Sequence, residues 1–187
     1  MKVACPATPY DAKGLLKTAI RDDDPVIFLE SEGLYAKKGP VGGPDELVPF
    51  GQAAVRRSGG HCTIIAVSRM VWIALAAAEL LAAEGIECDV VDPRTTRPLD
   101  MDTIADSVRR TNRCVVVDEG WPECGLAANL AAHVYEQCFD WLDAPVQRVN
   151  AADVPVPYAR NLEQAALPRA EDVAAAVRAS LARGAAA

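Results

Sequence analysis

The sequence is poor in the residues most often recruited for chemistry near neutral pH. It holds two histidines in 187 residues, and its six cysteines include no Cys-x-x-Cys pair. Zinc sites draw on closely spaced Cys and His, so a zinc centre finds no support. The net charge is −7 and no basic stripe is visible. A phosphate-backbone binder needs clustered Lys and Arg, which argues against nucleic acid as a partner. Long hydrophobic runs are missing too: the longest, Val71 to Ala83, is broken by Glu79 and is too short to span a bilayer. No apolar run of signal-peptide length opens the chain. The expectation is therefore a non-membrane protein of the cytoplasm, or of the mitochondrial matrix in a eukaryote, with reduced and buried thiols. Glycine-rich phosphate cradles are absent, as is a Gly-x-Ser-x-Gly elbow.

What is present is a folding pattern. Hydrophobic residues make up 51% and charged residues 24%, enough to bury a core. Val3-Ala4-Cys5 reads as a short strand. Thr8-Pro9-Tyr10-Asp11 reads as a helix start, with Thr8 as N-cap and Asp11 at the capping-box position. Ala12, Leu15, Leu16, Ala19 and Ile20 share one helical face. Val26 to Leu29 is a continuous apolar run, as expected of a strand covered on both faces. This βαβ unit, residues 1–30, is too small to stand alone, so the rest of its sheet must come from elsewhere. Residues 31–60, rich in Gly and Pro, read as a linker with one strand at about Gln52 to Arg56.

From residue 61 to 187 strands and helices alternate. Strands are expected at Thr63–Ser68, Ile86–Val91, Cys114–Val117 and Val146–Val149. Helices are expected at Met70–Glu84, with Gly85 in the C′ position, from Asp100 to Thr111, at Leu126–Phe139 and at Arg169–Arg183. The fold class is α/β, a mostly parallel three-layer αβα sheet, with the strand near residue 54 as an added edge. Ligands in such sheets sit beyond the carboxyl ends of the strands. Those ends carry Ser68-Arg69, Asp92-Pro93-Arg94 and Asp118-Glu119, which read either as caps that pair with one another or as a small-anion site. His133 reads as a packed or surface helix residue, and Cys124 as an unreactive loop thiol.

The stretch AIRDDDPVIFLE, Ala19 to Glu30, poses an electrostatic problem. Aspartates at a helix C-terminus meet the negative end of the helix dipole and its unpaired carbonyls. Carbonyls and carboxylates together suit a hard cation. A solvated turn in which Arg21 neutralises one carboxylate is the simpler alternative.

Several long stretches carry a family resemblance. They are PATPYDAKGLLKTAIRDDDPVIFLE, SRMVWIALAAAELLAAEGIECDVVDPRTTRPLDMDTI, VVVDEGW and LDAPVQRVNAADVPVPYARNLE. The chain resembles the C-terminal half of the β subunit of thiamine-diphosphate-dependent 2-oxo acid dehydrogenases, nearest the pyruvate dehydrogenase type. The resemblance implies a transketolase C-terminal domain preceded by the last βαβ piece of a pyrimidine-binding domain. It implies oxidative decarboxylation of a 2-oxo acid with acyl transfer to lipoyl groups. Thiamine diphosphate and magnesium would be bound by the assembly and not by this chain, which carries none of the family's catalytic residues. Implied partners are an α-type subunit, a second copy of the chain, a chain or segment supplying the missing part of the pyrimidine domain, and a dihydrolipoyl acyltransferase core. Carried over by position, Ala19, Ile20, Asp22 and Asp24 are the expected ligands of a structural potassium ion. The departures KKGPV, within SEGLYAKKGPV, and GWPECG lean toward the acetoin type, and Asn129 stands where the family usually has glutamate. An acetoin or branched-chain enzyme, or a non-catalytic scaffold, are the alternatives.

Overall fold

The computed structural model describes residues 1–184. Its elements in chain order are β1 (Lys2–Ala4), α1 (Pro9–Ile20), β2 (Val26–Phe28), β3 (Ala54–Arg57), β4 (Cys62–Ala66), α2 (Met70–Ala82), β5 (Cys88–Asp92), β6 (Thr95–Arg97), α3 (Met101–Thr111), β7 (Cys114–Val117), α4 (Leu126–Cys138), β8 (Gln147–Val149), α5 (Arg160–Ala166) and α6 (Ala170–Gly184), with two short 3₁₀ turns between them.

The larger sheet has the order β3-β5-β4-β7-β8. β4, β5, β7 and β8 run parallel, and β3 closes one edge antiparallel to β5. Every residue of β4, β5 and β7 is buried. The reason is visible in their sequence: side chains alternate across a strand, and both sets are mostly apolar, with Thr63, Asp89 and Asp92 as the buried polar exceptions. Ile64, Val90 and Val115 face one way and pack with Val71 and Leu81 of α2 and Val177 of α6. Ile65, Val91 and Val116 face the other way and pack with Ile104 of α3 and Leu130 and Val134 of α4. This is the three-layer αβα architecture read from the sequence. Each such side chain contributes roughly 1.5–3 kcal/mol when fully buried.

Local signals stop and start these helices where the chain predicts. Asp100 caps α3 by accepting the Thr103 N–H at 3.1 Å. Beyond α2, Gly85 takes φ +79° and donates to the Ala82 carbonyl, while Ile86 donates to Leu81, each at 3.0 Å. That is a Schellman end, and it requires the left-handed conformation glycine adopts without penalty.

A smaller sheet, β2-β1-β6, holds the N-terminal unit. β1 and β2 pair in parallel, as the βαβ reading requires. The third strand, β6, was not foreseen as one: Thr95–Arg97 pairs antiparallel with Val3 and Ala4. Part of the missing sheet therefore comes from this chain itself. β2 corrects the expectation of a strand covered on both faces, because Ile27 is 39% and Leu29 51% exposed. The α1 face divides likewise: Leu15 is buried against Ala4 and Val48, while Leu16 and Ile20 are exposed.

The segment expected as a linker is strapped down on α1. Lys13 Nζ reaches the carbonyls of Gly42 and, at 2.9 Å, Gly43; Lys17 Nζ reaches Pro44; and the Thr18 hydroxyl donates to Val48 at 2.7 Å. Gly14 permits this approach, since a Cβ there would meet Val48 Cγ2 at 2.4 Å.

Candidate functional site

The carboxyl ends of the large sheet are where a ligand would sit in an open α/β fold. Here the start of α1 lies against them. Asp11 carries out its capping role, with its N–H on the Thr8 hydroxyl at 3.2 Å and its carboxylate accepting that hydroxyl's proton at 2.5 Å. It also does what capping does not explain: Asp11 is fully buried and its carboxylate faces two guanidinium groups. Arg56 of β3 donates to Asp11 Oδ2, and Arg94 Nε lies 2.8 Å from Oδ1, in ionic contact without hydrogen-bond alignment.

Asp92, buried at the end of β5, completes the cluster. It accepts Arg56 Nη2 at 2.7 Å and the Arg94 N–H at 2.9 Å. Burial pushes the Asp92 carboxyl up against the opposing pull of Arg56. Desolvation works to lower the Arg56 pKa, but the two carboxylates beside it outweigh that and raise it. The nearby Cys5 thiol is pushed up to about 11 by burial, with Asp92 adding to the shift. Ser68-Arg69 and Asp118-Glu119 follow the pairing alternative: Arg69 Nη2 lies 2.6 Å from Glu119 Oε2. The small-anion alternative loses its free cations, because Arg56, Arg69 and Arg94 are all matched to carboxylates within the chain.

Beside this cluster, at the carboxyl ends of β1 and β2, a cleft of about 310 Å³ opens, lined by Pro6, Thr8, Pro9, Leu34, Tyr35 and Lys37 among others. The Lys37 ammonium sits 4.3 Å from the Trp72 ring centroid, and the Tyr35 hydroxyl donates to Glu30 at 3.0 Å. The cleft is mainly apolar; Glu30 and Lys37 are the charged residues of its lining, and Lys37 meets an aromatic ring instead of a carboxylate.

The acidic turn follows α1. The Ala19 carbonyl accepts the Asp22 N–H at 3.3 Å. Asp22 and Asp24 converge on Lys2 of β1, with Lys2 Nζ 2.7 Å from Asp22 and 3.2 Å from Asp24. Arg21, expected to neutralise a carboxylate, instead donates to the Lys17 carbonyl at 2.8 Å. The hydrogen bond that Lys2 donates to Asp22 holds the Asp22 carboxyl below its ordinary value and raises the Lys2 ammonium above its own. Ala19, Ile20, Asp22 and Asp24 are thus brought to one turn, with a lysine as the cation on its carboxylates. No group of three or more His, Cys, Asp or Glu side chains suited to a metal occurs among the described residues.

Five of the six cysteines are buried, and Cys124 is exposed in the loop before α4. His133 lies on α4 with Nδ1 3.4 Å from Glu136, a surface helix residue as expected. No described helix is long and apolar enough to cross a membrane.

Fold and site together define an α/β sandwich onto which part of a second domain is latched. Residues 51–173 match the model of the transketolase C-terminal domain, and residues 1–38 that of the transketolase pyrimidine-binding domain. The chain belongs to the transketolase C-terminal domain family. It is 49% identical over 178 residues to the pyruvate dehydrogenase E1 component subunit beta of Rickettsia felis, covering 95% of this chain and 55% of that one. It is 50% identical over 184 residues to subunit beta-1 of the mitochondrial enzyme of Arabidopsis thaliana, covering 96% and 50%. The chain spans about half the length of the curated relatives it matches, and it corresponds to their C-terminal part. A solved structure described as a split gene transketolase, inactive beta4 tetramer, matches with a TM-score of 0.76 at 30% identity, over 98% of this chain and 58% of that one.

Proposed function

We propose that the chain is the C-terminal portion of the β subunit of a thiamine-diphosphate-dependent 2-oxo acid dehydrogenase of the pyruvate type. The observation that carries this is identity of 49–50% to pyruvate dehydrogenase β subunits along nearly the whole chain. In that role it contributes assembly and interface, and the assembly oxidatively decarboxylates pyruvate and acylates a lipoyl group. The residues present do not fit the cofactor by themselves. The cleft at the ends of β1 and β2 offers a diphosphate a single lining cation, Lys37, and its neighbours Asp11 and Glu30 are acidic. Thiamine diphosphate and magnesium are accordingly assigned to other parts of the assembly.

Three partners follow from the same reading. An α-type subunit supplies the diphosphate site. A chain or segment carrying the rest of the pyrimidine domain joins at β2, whose exposed Ile27 and Leu29 support that placement. A dihydrolipoyl acyltransferase core takes up the product. The split transketolase suggests what the chain does without them: it self-associates and stays inactive. The acidic turn is proposed to hold potassium through Ala19, Ile20, Asp22 and Asp24 once those partners are in place. There the ion would compete with Lys2. Potassium should then raise the melting temperature of the complex and not of the isolated chain; equal stabilisation of both would contradict it.

The direct test is the native mass of the assembly, followed by turnover. The chain alone should show no turnover. Mixed with an α-type subunit and the missing β segment, it should form a discrete complex that reduces lipoyl groups fastest with pyruvate. A faster rate with acetoin would favour the alternative to which GWPECG leans. A stable folded monomer that binds neither partner would remove the proposal.

A further inference from the structure

Asp11 is the one acidic residue of α1, and it lies at 0% exposure against two arginines from outside the N-terminal unit. Arg56 reaches it from β3 at the edge of the large sheet. Arg94 reaches it from the connection between β5 and β6, where its backbone takes φ +61°. A non-glycine residue is uncommon in that region and is held there by its surroundings. Here the Asp92 carboxylate holds it, by accepting the Arg94 N–H at 2.9 Å and taking Arg56 through Nε at 3.1 Å and Nη2 at 2.7 Å. Asp92 alone leaves one positive charge unmatched beside two guanidiniums whose side chains are only 17% and 13% exposed. An uncompensated charge at such depth is strongly unfavourable, and one further carboxylate balances it.

We propose that Arg56, Arg94 and Asp92 form a carboxylate-binding site on the large sheet, and that its ligand is the Asp11 side chain in cis. The site fixes where α1, and with it residues 1–30, sits on the sandwich. The apolar face of α1 does this less well: only Leu15 of its large apolar side chains is buried, and it packs on Val48 and Ala4, whereas Cys5 and Ala7 ahead of the helix enter the two cores of the sandwich. The Trp72 Nε1 bond to the Ala7 carbonyl, at 2.8 Å, sets the height of the same segment but carries no charge. Guanidinium groups are suited to such a site because their planar forks match carboxylate geometry.

The test is amide hydrogen exchange on the full chain with Asp11→Ala, with and without sodium acetate, against sodium chloride at the same ionic strength. Amides of α1 should exchange about 100-fold faster than in the parent chain, while those of β4 change less than about 3-fold. Acetate, filling the emptied site, should restore about 10-fold of that protection, and chloride should not. Unchanged α1 exchange, equal loss in β4, or equal rescue by chloride would overturn the proposal. If Asp11→Ala does not fold, Asp11→Asn keeps the shape and the Thr8 cap. It should still speed α1 exchange at least about 10-fold with β4 unaltered, and parity with the parent chain would overturn it.

Discussion

At the scale of single residues, the chain solves a local electrostatic problem with a distant group. Three aspartates follow a helix C-terminus, and Lys2 rather than Arg21 answers two of them, Asp22 and Asp24. The pH dependence follows from the signs. Asp22 is depressed in the folded chain, so its contribution is present above the ordinary carboxyl value of 3.8 and is lost as pH falls through the lower folded value. Lys2 is raised, so its contribution is present below 10.5 and is lost as pH climbs through the higher folded value. Lys2→Met should return the Asp22 carboxyl toward 3.8, which a carbon-detected NMR titration would show directly. The thiols give a second prediction. Burial raises Cys5, Cys62, Cys88, Cys114 and Cys138. Only Cys124 is exposed, so iodoacetamide at neutral pH should label it alone, and denaturant should admit all six. Mass spectrometry of the intact chain would count the additions. The sequence placed Cys88 and Cys114 in apolar runs and read the Cys124 loop thiol as unreactive; its exposure is a property of the folded loop.

At the scale of elements, a helix can carry a residue that its own propensity disfavours. Gly14 lies within α1, where alanine would favour the helix by about 1 kcal/mol. Yet a Cβ there would come within 2.4 Å of Val48 Cγ2 and 3.1 Å of the Val48 backbone nitrogen. Val48 is 2% exposed and cannot step aside. Gly14→Ala should therefore lower the free energy of unfolding, net, by about 1–3 kcal/mol, read from the urea midpoint. The elements of the large sheet were legible because their signals are local. Continuous Val/Ile runs, Asp100 as a cap and Gly85 as a stop placed α2, α3, β4 and β7 to within two residues of their observed ends. β6 and α5 were not foreseen. Three residues of Thr-Thr-Arg have no period to read, and β6 exists because β1 offers it an edge.

At the scale of the whole molecule, the open question is what covers β2. One side of β1 is occupied by β6, and β2 leaves its far edge, its Ile27 side chain and the Leu29 that follows it exposed. An uncovered apolar edge strand is a template for pairing with another chain. Ile27→Lys should abolish assembly with the complementary segment, as seen by native mass. It should change the stability of the isolated chain by less than about 0.5 kcal/mol, since the residue is 39% exposed there. Loss of both together would mean that Ile27 serves the chain's own core.

The sequence by itself determined the αβα sandwich, the Thr8 and Asp100 helix caps and the βαβ unit. Hydrophobic period, capping and strand length are properties of neighbours in the chain, and a reader of the chain has all of them. Tertiary structure alone decided the pairings that give the molecule its charge pattern. Asp11 meets Arg56 45 residues away, and Asp22 meets Lys2 20 residues back across a whole helix. The capping role of Asp11 was legible, and its two-arginine site was not, because a buried charge is matched by whatever the fold brings beside it. The acidic turn shows the same division: the sequence supplied its oxygens, and the fold put the Lys2 ammonium group among them.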